Sequence, residues 1–151
     1  MTATEREYPF KFAERCLYEY PENRARLERL REELTELYAS SSAHAQGWEP
    51  ADHSSGPGDP VAVRTLKILS LEEEIARLEQ RTDPITHLLE DLEAPYVLQG
   101  SPKAELALVA RLCYFGKSPK KQVADRLNMT ERSLRRQKEK LVRLALFYAG
   151  L

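Results

Sequence analysis

Four of the nine prolines in this 151-residue chain stand directly after Asp or Ser: Asp59-Pro60, Asp83-Pro84, Ser101-Pro102 and Ser118-Pro119. Proline suits the first helical position, because its missing N–H has no intrahelical partner there, and the Ser or Asp before it caps N–H groups that stay free. Pro9 and Pro21, each after a tyrosine, read as helix starts without that cap. Pro50 and Pro57 fall in a loop, and Pro95 ends a helix. The spacing predicts seven helical segments: residues 9–19, 21–39, 60–82, 84–93, 102–115, 119–127 and 130–148. No stretch alternates apolar and polar residues with β-branched enrichment, so no sheet is expected and the fold class is all-α. Residues 40–59 are rich in Ser, Ala, Gly and Pro and read as a flexible loop that Trp48 alone could pin to the body.

The second segment carries Leu27, Leu30, Leu34 and Leu37, three and four apart. The third carries Val61, Ile68 and Ile75 with Leu71 and Leu78, and Ile85, Leu89 and Leu92 keep the phase beyond Pro84. A narrow apolar stripe with charged flanks such as Glu32, Glu36, Glu72 and Arg77 is a coiled-coil seam. An antiparallel hairpin closed on itself and a dimerisation element share that period. Leu27, Leu34, Ile68 and Ile75 are offered to a second copy in the latter case, and a homodimer is the expected assembly.

Twenty-three basic residues nearly balance 24 acidic ones, but they are not mixed evenly. Residues 111–143 hold eleven Lys or Arg against Asp125, Glu131 and Glu139, a local balance of +8 that leaves −9 for the rest. One end is therefore built to meet a polyanion. Within it, the helix ELALVARLCYF presents Leu108, Leu112 and Phe115 on one side. Then follow KKQVADRL, the turn Asn128-Met129-Thr130, and ERSLRRQKEKLVRLALFY, the order of a helix-turn-helix. Val123 and Leu127 are four apart, and Ala124 is small where two helices cross. Asn128 tolerates left-handed φ, Thr130 caps the next helix, and Met129 can meet Leu134 as a hydrophobic staple. Leu134, Leu141 and the Leu144/Ala145 pair face inward, so Arg132, Arg136 and Arg143 face out, with Lys140 on the flank. Outward arginines at a helix start suit guanine N7 and O6 in the major groove, and Lys120 and Lys121 suit phosphate. The candidate DNA-binding residues are Lys120, Lys121, Thr130, Arg132, Ser133, Arg135, Arg136, Lys140 and Arg143.

The stretch AELALVARLCYFGKSPKKQVADRLNMTERSLRRQKEKLVRLA resembles the C-terminal promoter-reading domain of sigma factors. Gln122-Val123-Ala124 stands for their E-I-A, Leu127-Asn128-Met129-Thr130 for their L-G-I-S, and Leu134-Arg135-Arg136 for their V-R-R. Where that pattern commonly carries an aromatic before the I-A, this chain has Lys120-Lys121-Gln122. The whole chain is similar to the ArpU/RinA-type family of phage transcriptional regulators, closely over about the last 45 residues and in architecture over the rest. The resemblance implies control of late, packaging or lysis genes.

No constellation for catalysis is present, so no enzyme, metal or cofactor is expected. His44, His53 and His87 lack ligand spacing, and His87 reads as a surface partner of Glu90 or Asp91. Tyr8, Phe10, Phe12, Tyr18 and Tyr20 read as the core of the first helix. Charged residues make up 31%, no apolar run approaches the roughly 20 residues of a spanning helix, and Glu5, Arg6 and Glu7 exclude a secretory signal. Cys16 and Cys113 imply no disulfide framework, which suits a reducing cytoplasm. The expectation is an N-terminal helical hairpin over residues 1–94, then a helix-turn-helix module over residues 101–151, in a sequence-specific transcriptional regulator. Its partners are double-stranded DNA, RNA polymerase and a second copy, and no membrane. The rival readings are a phage small terminase subunit and a polymerase-docking adaptor that does not bind DNA.

Overall fold

The computed structural model describes the backbone of residues 3–46 and 60–151 and the side chains of residues 8–40 and 60–151. Within these the chain is helical, with no strand. Helix α1 is Ala3–Gln46 and α2 is Pro60–Leu92. Helix α3, Pro102–Val109, passes directly into a π-helical segment, Ala110–Phe115. Helix α4 is Lys120–Arg126 and α5 is Glu131–Tyr148. No helix among the described residues is long and apolar enough to cross a membrane.

Three of the prolines expected at helix starts lie inside helices: Pro9 and Pro21 in α1, Pro84 in α2. The expected segments 9–19 and 21–39 are one helix, as are 60–82 and 84–93. An interior proline costs about 3 kcal/mol through one lost hydrogen bond and a ring clash. Packing beside each break outweighs it here. Leu17 is fully buried one turn before Pro21, and Thr82 and Ile85 are buried on either side of Pro84. The Tyr20 and Thr86 hydroxyls hydrogen-bond at 2.9 Å. The signature holds at Ser101-Pro102, where Ser101 Oγ accepts from the Ala104 N–H at 3.3 Å. Residues 40–46, read from sequence as loop, extend α1. The remainder of that expected loop, residues 47–59 with Trp48, lies outside the described residues.

Two compact units share these helices: residues 24–79, and residues 1–23 with 80–151. In the unit of residues 24–79, α1 runs antiparallel to α2 around Leu27, Ile75 and Leu78, with Leu30 and Leu34 packed on them. Arg26 pairs with Glu74, Lys67 meets Glu33 at 3.5 Å, and the Tyr38 hydroxyl donates to Glu72 at 2.5 Å. The leucine seam therefore closes on itself within one chain. Val61, expected on the seam, is exposed.

The other unit has its own core, drawn from Ala13, Cys16 and Leu17 of α1, Ile85, Leu88, Leu89 and Leu92 of α2, and buried residues of α3, the π segment, α4 and α5. The 101–151 stretch thus shares its core with both long helices rather than standing as a separate module. Phe10, Tyr18 and Tyr20 pack on this core as expected, but Tyr8 and Phe12 are exposed. Of the Leu108, Leu112 and Phe115 side, Leu112 and Phe115 pack on the core and Leu108 is exposed, while Leu106, Ala107, Val109, Ala110, Cys113 and Tyr114 are buried. The inward face of this helix therefore lies one step from the Leu108–Leu112–Phe115 side. The N–H of Gly116 reaches the Arg111 carbonyl at 2.8 Å, the five-residue bond that marks the wider π turn.

Candidate nucleic-acid interface

Helices α4 and α5 meet through a short turn closed by two backbone bonds. The Met129 N–H donates to the Ala124 carbonyl at 3.0 Å, and the Asn128 N–H to the Asp125 carbonyl at 3.3 Å. With Asn128 at φ 52°, this is a Schellman closure of α4. Asn supplies the left-handed residue, as its position in the sequence requires. Thr130 is the N-cap of α5: its Oγ1 accepts from the Ser133 N–H at 3.1 Å. Met129 is half-buried against the core that holds Leu134. Replacing Thr130 with Ala should cost about 1 kcal/mol, read as a lower urea midpoint at unchanged slope. Asn128→Gly should keep the turn, whereas Asn128→Val should lose about 1–2 kcal/mol, since a β-branched residue fits the left-handed region poorly.

Val123 and Ala124 of α4 and Leu134, Leu141, Val142 and Ala145 of α5 are buried. They fix the roll of α5 and leave its other side in solvent. Arg132, Arg136, Lys140 and Arg143 are exposed there, as are Lys120 and Lys121 on α4. None of these six has a carboxylate within ion-pair distance among the described residues. Arg126, not singled out from the sequence, is exposed and likewise has no carboxylate within ion-pair distance among the described residues. Thr130 is exposed but committed to the cap, and Ser133 is half-buried beneath it, its Oγ accepting from the Thr130 hydroxyl at 3.0 Å. Arg135 is exposed and leans on Glu139 at 3.6 Å.

The remaining cations of the basic stretch are used within the fold. Arg111 gives two hydrogen bonds to Glu93, at 2.7 and 2.6 Å, which hold its pKa above the ordinary value. Lys117 donates to Glu22 at 3.0 Å and draws that carboxyl below its usual range. The Lys138 ammonium lies 5.1 Å from the Tyr114 ring centre and 5.9 Å from that of Tyr18. Tyr114 is fully buried, and burial pushes its phenol far up, so it stays neutral and donates to Glu14 at 3.3 Å. The basic end is thereby sorted: Arg111, Lys117 and Lys138 are engaged by groups of the fold, and the outward set on α4 and α5 meets no carboxylate among the described residues. Free guanidinium and ammonium groups on an exposed helix face can take phosphate oxygens or the acceptor edge of guanine.

The thiols of Cys16 and Cys113 are buried, and burial raises both pKa values, which leaves them unreactive. His87 Nδ1 lies 3.4 Å from Glu90, the surface pair expected. No cluster of three or more His, Cys, Asp or Glu side chains suited to a metal occurs among the described residues. Comparison with family models, curated proteins and solved structures finds no match to this chain.

Proposed function

We propose that the chain is a double-stranded DNA-binding protein whose α4 and α5 act as a helix-turn-helix, with α5 in the major groove. The observation that carries this reading is the outward set Arg132, Arg136, Lys140 and Arg143. It lies on a helix whose opposite side is locked in the core, and no carboxylate among the described residues pairs with it. A cation that is only a solvated surface charge needs no fixed roll. One that reads a base edge does, because a bidentate contact tolerates little rotation. In this reading Arg132 and Arg136 contact bases, Lys120, Lys121, Lys140 and Arg143 hold phosphates, and the Thr130–Ser133 cap sets the entry of α5. Arg135, leaning on Glu139, serves the edge of the interface.

The particular role we infer is transcriptional control in the cytoplasm, of late genes of a phage or prophage. It rests on the sequence resemblance to ArpU/RinA-type regulators and sigma-factor promoter-reading domains. RNA polymerase is a second partner in this reading. The test is selection of preferred duplexes from a random pool, followed by fluorescence anisotropy on selected and random sequences over a salt series. The expected result is a preferred sequence bound at least about a thousandfold more tightly than random duplex, with affinity falling steeply in salt. Binding that shows no sequence preference, or none at low salt, would overturn it.

A further inference from the structure

We infer that the duplex contact of α5 does not stop at its cations: Phe147, at the far end of the same face, packs on the deoxyriboses at the edge of the neighbouring minor groove. The inference rests on the proposed helix-turn-helix reading and adds to it an apolar contact. An exposed apolar side chain is ordinary in itself, and the described residues hold several. What singles out Phe147 is its company. It is 77% exposed near the end of α5. At about 100° per residue, Arg132, Lys140, Arg143 and Phe147 all lie within about 40° of Arg136 around the helix. The ring thus stands in line with the outward cations. The two carboxylates of α5 lie off that line, Glu131 about 140° and Glu139 about 60° from Arg136. Glu139 is half-buried and leans on Arg135 at 3.6 Å. The position of the ring is fixed by its neighbour, since the Tyr148 hydroxyl donates to Asp91 of α2 and the two rings meet edge-on with centres 6.0 Å apart.

Charge and distance choose the occupant. Arg136, Lys140 and Arg143 make this face strongly positive, so a second copy brought against it would set like charge on like, and a polyanion is its complement. Along the axis, Phe147 lies about 16 Å beyond Arg136 and about 6 Å beyond Arg143, at a rise of about 1.5 Å per residue. The major groove is only about 12 Å wide. With Arg136 on bases in that groove, Lys140 and Arg143 fall at the phosphates of the strand that borders it, and Phe147 falls past them. A ring placed there meets the C–H surface of the sugars that wall the next minor groove, a region where phenylalanine recurs as an apolar contact. The order along α5 is base-reading arginines, phosphate-holding cations, then the ring. It matches the order major groove, backbone, minor-groove edge. Sugars are the same at every base pair, so the contact adds affinity without sequence preference, and salt does not screen it.

Hydroxyl-radical footprinting of the full chain tests this, because the radical attacks deoxyribose and reports sugar exposure along each strand. On the preferred duplex the wild type should protect a patch of sugars across the minor groove at one edge of the site. Phe147→Ala should lose that patch and keep the rest of the footprint. Its affinity should fall about tenfold on preferred and random duplex alike, at an unchanged salt slope, because no cation is removed. Phe147→Tyr keeps the ring and should retain both the patch and the affinity. Alanine favours helix and Phe147 is exposed, so helicity by circular dichroism should stay that of the wild type. A Phe147→Ala footprint and affinity equal to wild type overturn the inference and leave the DNA reading standing, the result expected if the ring serves an acidic protein partner instead. A loss confined to the preferred duplex overturns it as well, since a sugar contact is the same on every sequence. A wild type that protects no duplex overturns the inference and the DNA reading together.

Discussion

Replacing Arg136 with alanine should weaken binding to the preferred duplex by about 1–3 kcal/mol and binding to random duplex far less, if the proposed reading of α5 holds. Arg136 is exposed two residues after Leu134, which is buried, and no carboxylate among the described residues holds its guanidinium. In the proposed reading the group makes two parallel bonds to guanine N7 and O6, and removing it would delete both at one base pair. Alanine is the best helix former, so α5 itself is not weakened, and the core contact of Leu134 is untouched. Lys121→Ala is the contrasting variant. Its ammonium offers a charge rather than a fork, so its loss should lower specific and random binding alike and flatten the salt slope by about one. Anisotropy titrations of both variants on both duplexes give a two-by-two comparison. Equal losses for Arg136→Ala on the two duplexes would refute direct readout by this helix. The same comparison on Arg132→Ala asks whether the first turn of α5 reads a second base.

The parts of this candidate site that were legible in the sequence are those fixed by neighbours a few residues away. The left-handed Asn128, the Thr130 cap and the inward roll of Leu134 depend on contacts inside one turn or one helix face, and each is where its residue type and spacing place it. The helix breaks at Pro21 and Pro84 were misread for the opposite reason. Local propensity favours an end there, and packing around Leu17, Thr82 and Ile85 overrides it. The destination of the leucine seam was open by nature, because a self-closed hairpin and a dimer have the same period. The structure decides it through pairs such as Arg26–Glu74 and Lys67–Glu33. The roll of the helix around Leu108 was not legible, since several apolar residues compete for the inward side and the π turn that follows has no local signature. Least legible was the company kept by the basic end. Tyr114 and Glu14 meet across 100 residues of sequence, and nothing near either one announces the other.

That last contact sets the largest expected effect on stability: residues 101–151, made alone, should fail to fold cooperatively. The fragment would retain Val109, Ala110, Cys113, Tyr114, Leu134 and Leu141 but lose Ala13, Cys16, Leu17, Ile85, Leu88, Leu89 and Leu92 from the same core. Tyr114 would lose the Tyr18 ring, 4.6 Å away edge-on, and the carboxylate of Glu14. Phe115 would lose its stack on Tyr20 at 5.1 Å, Arg111 its bonds to Glu93, and Tyr148 its bond to Asp91. A core in a chain this short rarely supplies more than about 3–5 kcal/mol even when complete. Emptying one side of it costs several large side-chain contacts, each about 2–5 kcal/mol, so the balance turns against folding. Circular dichroism should show reduced helicity with a broad, shallow melt, and amide resonances should be poorly dispersed. In the full chain, Leu17→Ala tests the same coupling more gently. It should lower stability by about 2–5 kcal/mol, although Leu17 lies more than a hundred residues before α5. At temperatures where that variant is still folded, DNA affinity should be unchanged, because Leu17 supports α5 without touching the ligand. A fragment that melts sharply and binds duplex like the full chain would show instead that residues 101–151 carry a sufficient core of their own.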